Sequence, residues 1–81
     1  MVSDSEAKVI IARNIKRILD EQGRTMYWLA KQTGDADTKI GRILRAVNVP
    51  SAGFLIRTSR ALGVSLDELT GEEVTANQDA A

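Results

Sequence analysis

Turn-forming residues cut this sequence into pieces, and the lengths of those pieces constrain what it can fold into. Gly23, Gly34 and Gly63 each follow a run whose apolar residues are spaced as in a helix, and Pro50 separates two further runs. Glycine readily takes the left-handed conformation of a helix C-cap, and proline cannot continue a helix. Strand-like alternation is absent. The first run predicts a helix over residues 6–22, with Ile11, Ile15, Ile18 and Leu19 on one face. Thr25 is placed to cap a second helix over 26–33. A third is expected over 37–46 with Ile40, Ile43 and Leu44 inward, and Pro50 and Ser51 open a fourth that runs to residue 62. Ser65 with Glu68 three positions on reads as a capping box, starting a fifth helix that reaches residue 69. Five helices averaging about ten residues are too short for the seams of a long four-helix bundle. The expected fold is therefore all-α: a compact five-helix domain over residues 1–71. From residue 72 onward Val74 is the only large apolar side chain, so residues 72–81 read as an acidic, disordered tail that folding does not require.

What the chain lacks narrows its chemistry. Its 81 residues include neither cysteine nor histidine. Disulfides and thiolate metal sites are thereby excluded, and the commonest general base is missing. Nothing in the sequence would activate a serine or threonine hydroxyl, so no enzyme, metal or cofactor is expected. The start, Met1 to Glu6, is polar and acidic, unlike a secretory signal. Apolar runs such as residues 9–12 fall far short of the roughly 20 residues that span a bilayer. A cytoplasmic protein with no membrane partner and no small-molecule substrate is expected.

Formal net charge is zero, but the charge is sorted along the chain. Residues 24–60 carry seven bases (Arg24, Lys31, Lys39, Arg42, Arg45, Arg57, Arg60) against two acids, Asp35 and Asp37. Residues 61–81 carry five acids and no base. A neutral chain organised in this way is expected to present one basic face.

That basic stretch holds a distinctive spacing. Ala30 lies midway along the second helix, where a small side chain lets another helix cross closely. Gly34 follows four positions later, where the chain must turn. Ile40 and Ile43 then supply branched apolar side chains to the buried side of the third helix. Together these offsets describe a helix-turn-helix over roughly residues 26–46.

With these residues the sequence resembles the lambda-repressor/Cro type of helix-turn-helix regulators. The likeness runs through Leu29, Ala30, Lys31, Gln32, Thr33 and Gly34, then Ile40, Gly41, Arg42 and Ile43, to Pro50 and Ser51. It continues through residues 61–69, and covers about residues 8–70. The resemblance implies a five-helix fold with the third helix in the major groove of DNA, acting as a dimer on a two-fold operator. The chain departs from the pattern at several places. Asp35 stands where an apolar turn residue is usual, and Ala36 where a serine-like cap is usual. Met26 replaces the glutamine that often opens the second helix near a phosphate. Thr58 and Ser59 replace apolar residues of the fourth helix.

Candidate contacts follow from helical spacing. Asp37, Thr38, Gly41, Arg42 and Arg45 share the face opposite Ile40, Ile43 and Leu44. In a groove, Asp37 and Thr38 would reach base edges, Gly41 would let the backbone approach, and Arg42 and Arg45 would bond guanine or phosphate. The plainer reading is a solvated polar face. Asp37 has two readings as well: acceptor for a cytosine amino group, or cap of the third helix. In either role, Asp35 and Asp37 would oppose phosphates and lower non-specific affinity. Lys39, Asn48 and Arg24 are phosphate-contact candidates, and Met26 joins the site through its place in the resemblance. Lys31, Arg57 and Arg60 read as surface charge. One of Tyr27 and Trp28 is expected to pack on a neighbouring helix. Phe54 fits either the core or an exposed patch at a dimer interface formed near Phe54, Val64 and Leu66.

These readings point to a sequence-specific transcriptional regulator, a phage-type repressor or Cro-like protein, occupying double-stranded operator DNA as a homodimer. The alternative is a protein-interaction module of the same fold, antitoxin-like or an accessory subunit, whose third helix need not touch DNA.

Overall fold

The structure is a computed structural model that describes residues 3–71. The expectation for residues 72–81 lies outside the described part. Five helices and no strand occur among the described residues: α1 (Asp4–Gln22), α2 (Met26–Thr33), α3 (Asp37–Leu44), α4 (Ala52–Leu62) and α5 (Leu66–Thr70).

Local chemistry sets most of these limits. Ser3 accepts from the Glu6 N–H while the Glu6 carboxylate accepts from the Ser3 N–H, a capping box that starts α1 two residues before the hydrophobic pattern does. Thr25, Ser51 and Ser65 cap α2, α4 and α5 by accepting from Trp28, Phe54 and Glu68 respectively. Gly23, Gly34 and Gly63 end α1, α2 and α4 with left-handed φ values of 67°, 80° and 70°.

α3 ends two residues earlier than its apolar pattern suggests. Ala46 takes φ 61°, its N–H reaching Ile43 O, while the Val47 N–H reaches Arg42 O. This is a Schellman closure with alanine where glycine is customary, and a Cβ in that conformation costs about 1–2 kcal/mol.

The core gathers one face of every helix. Ile15, Leu29, Ile40, Phe54 and Leu69 are fully enclosed, one from each element in chain order. α1 packs on α3 and α5, α2 on α3 and α4, and α4 on α5. Phe54 is 0% exposed. Its ring belongs to the core, where apolar burial stabilises most, and is not available to a second subunit. Val64 packs partly against the same core, which leaves Leu66 as the exposed member of the three residues assigned to a dimer surface.

Polar side chains tie the ends of α4 and α5 to α1. The buried Asn14 amide on α1 donates to Leu69 O and Gly71 O, both at 2.9 Å, satisfying carbonyls at the end of α5. Gln22 does the same for Leu62 O at the end of α4, also at 2.9 Å.

Candidate nucleic-acid interface

α2 and α3 meet through the residues whose spacing suggested it. Ala30 is buried in the central cluster with Leu29, Ile40 and Ile43, so the small side chain lies within the packed core. Gly34 turns the chain, and its N–H closes α2 on Ala30 O at 2.9 Å. This arrangement leaves the opposite side of α3 facing outward.

Asp37, Thr38, Gly41, Arg42 and Arg45 come together on that side, and with Met26 and Tyr27 of α2 they line one open concavity. Gly41 is nevertheless buried. Arg45 lies across it, with Nη1 3.3 Å from where a Cβ would stand, and the Met26 sulfur is 3.8 Å away. The space that glycine opens is thus occupied by this chain's own side chains. A contacting molecule would meet Arg45 and Met26 before the backbone.

Tyr27 was not among the sequence candidates, yet it is 64% exposed and lines this concavity. It also borders a second, shallower one formed by Ala30, Lys31, Asp35, Ala36 and Asp37. Its neighbour Trp28 turns toward the core, as expected for one of the pair, and stacks under Arg24, whose guanidinium carbon is 3.9 Å from the ring centroid. This contact favours one position of the exposed Arg24 side chain. Asn48 is exposed after α3 but does not line either concavity.

The two aspartates differ from expectation. Asp35 does not confront solvent: its side chain is 8% exposed and accepts from Lys39 Nζ at 2.9 Å and from Arg57 Nη2 at 3.1 and 3.3 Å. Its own N–H donates to Thr33 Oγ1 at 3.3 Å. Burial pushes its carboxyl up, but hydrogen bonds from Lys39, Thr33 and Arg57 outweigh that and hold it below its ordinary value. Asp35 is a neutralised brace between the turn and α4, and Arg57, read as plain surface charge, is part of it. Lys39 is engaged in the same brace. Asp37 does not cap α3 either. The N-cap is Ala36, which offers no side-chain bond, and Asp37 sits within the first turn. A cap would have required the carboxylate one residue earlier.

No helix of the described residues is long and apolar enough to cross a membrane. Among the same residues, no group of three or more acidic side chains is arranged to hold a metal.

The fold is that of a small five-helix domain with one face of α3 turned outward. Its backbone matches the crystal structure of a hypothetical transcription factor, NHTF, from Neisseria, with a TM-score of 0.82 over 98% of this chain and 90% of that one. The two share 18% sequence identity, so the likeness is one of fold. No protein-family model matches the chain, and no curated protein matches it either.

Proposed function

We propose that this protein is a sequence-specific DNA-binding regulator of transcription of the lambda-repressor/Cro kind. It lays α3 in the major groove and works as a homodimer on an operator. The observation that carries the reading is the outward face of α3. Arg42 and Arg45 stand there beside Thr38 and Asp37, on a helix backed by α2 through Ala30. An α-helix fits the major groove, and arginine bonds both guanine edges and phosphates. The shared fold with NHTF agrees with this reading. Neutralisation of Asp35 by Lys39 and Arg57 removes one of the two charges that would oppose phosphate.

Salt dependence provides the test. Each phosphate contact contributes about 0.9 to the slope of log K against log salt. Alanine at both Arg42 and Arg45 should weaken binding to duplex DNA and flatten that slope by one to two such increments, with helicity unchanged. Affinity unchanged in the double variant would remove α3 from the interface. Absence of any DNA binding by the parent at low salt would favour a protein-interaction module instead.

A further inference from the structure

The start of α3 carries two carboxylates that the fold treats in opposite ways. Asp35 is enclosed and matched by two bases, so its charge is cancelled where it stands. Asp37, two residues on, is exposed, caps nothing, and has no ion-pair partner among the described residues. It nonetheless lines the same concavity as Arg42 and Arg45. An unmatched carboxylate placed where a polyanion would dock is repelled by every phosphate and by every acceptor on a base edge. Only an exocyclic amino group offers it a hydrogen bond in the major groove. Adenine carries its amino group beside the N7 acceptor, which a carboxylate would also meet. Cytosine carries its amino group beside a C–H, with no acceptor of its own next to it in that groove.

We propose that Asp37 is a specificity-determining residue that selects cytosine at one position of the bound site, through a hydrogen bond from the N4 amino group. This inference rests on the DNA-facing reading of α3. Arg42 and Arg45 complement it, since guanine presents only acceptors in the major groove. The carboxylate acts chiefly by exclusion: it weakens binding to all other bases, and to DNA in general, more than it strengthens binding to cytosine.

Selection of bound duplexes from a randomised library tests the assignment, carried out in parallel with the parent protein, Asp37→Asn and Asp37→Ala. The parent should prefer cytosine at one position of each half-site by about fivefold to a hundredfold over the other bases. Asp37→Ala should lose the preference at that position alone and bind random-sequence duplex more tightly. Asp37→Asn should move the preference toward adenine, whose N6 and N7 asparagine can engage together. Asp37 is exposed and asparagine is isosteric with it, so that variant keeps the fold. A purely structural carboxylate at the helix start would alter thermal stability and leave the selected sequence unchanged, and that result would overturn the proposal while DNA binding stood. A parent that binds no duplex would overturn the DNA-facing reading, and this assignment with it.

Discussion

Asn14 and Thr58 are both polar and both buried, and they show how differently a core can treat such groups. The Asn14 amide spends its two N–H groups on the carbonyls of Leu69 and Gly71. Thr58, 0% exposed on α4, contributes its methyl group to packing, but its Oγ1 has no hydrogen-bond partner. A buried hydroxyl without a partner retains its desolvation cost and returns nothing. Thr58→Val keeps the shape and removes the hydroxyl. It should raise stability by about 1 kcal/mol, roughly 4–8 °C in melting temperature for a domain of this size. Thermal unfolding followed by circular dichroism reads this directly. An unchanged or lower midpoint would mean that the hydroxyl is bonded in solution.

Among the elements, the turn between α2 and α3 depends most on its surroundings. Without a side-chain cap at Ala36, the start of α3 is held by Asp35, which joins Lys39 on α3 to Arg57 on α4. Asp35 ionises below the ordinary carboxylate value of 3.8, so the folded state binds its proton less readily than the unfolded chain does. Its contribution to stability is therefore complete above that value and disappears as pH falls through the lower, folded one. Asp35→Asn should cost at most about 1 kcal/mol near neutral pH, because Lys39 and Arg57 are each 44% exposed and solvent screens them. The difference between parent and variant should close on acidification below pH 3.8. Urea unfolding across that range is the measurement. A difference that persists at the acid end would assign the effect to packing or hydrogen bonding instead of charge.

For the molecule as a whole, the proposed DNA-binding function implies that one α3 would reach only half of a two-fold site. Pairing two copies would set the recognition helices about 34–36 Å apart, one turn of DNA. Burial of Phe54 narrows the choice of surface. The exposed large apolar side chains of α4 and α5 are Ile56, 42% exposed, and Leu66, 44% exposed. A thin core leaves few apolar residues to spare for solvent, and these two are the candidates for contact with a second copy. Sedimentation should show a mass that rises with concentration. Aspartate at both Ile56 and Leu66 should give a folded monomer with weaker DNA binding. If the doubly substituted protein still associates, the interface lies on another face.

Most of what depends on neighbours within about four residues was legible in the sequence. Thr25 and Gly34 delimit α2 at the expected residues because a cap and a left-handed turn act locally. The face shared by Asp37, Thr38, Gly41, Arg42 and Arg45 follows from helical periodicity alone. The Ser3–Glu6 box was equally local and could have been recognised from its spacing. Closure of α3 at Ala46 was harder to see, because alanine carries no turn signal. Tertiary structure decided what distant residues do for one another. Asp35 meets Arg57 across 22 positions, and Asn14 meets Leu69 across 55. Neither partnership leaves a mark on periodicity or capping. Phe54 had an equally good apolar reading inside and outside, and only the convergence of five helices placed it inside. Tyr27 and Trp28 are adjacent in sequence, yet a rotation of about 100° along the helix turns one outward and the other toward the core. Sequence determines which face a helix can bury, but the packing of its neighbours determines which charges and rings that burial leaves exposed.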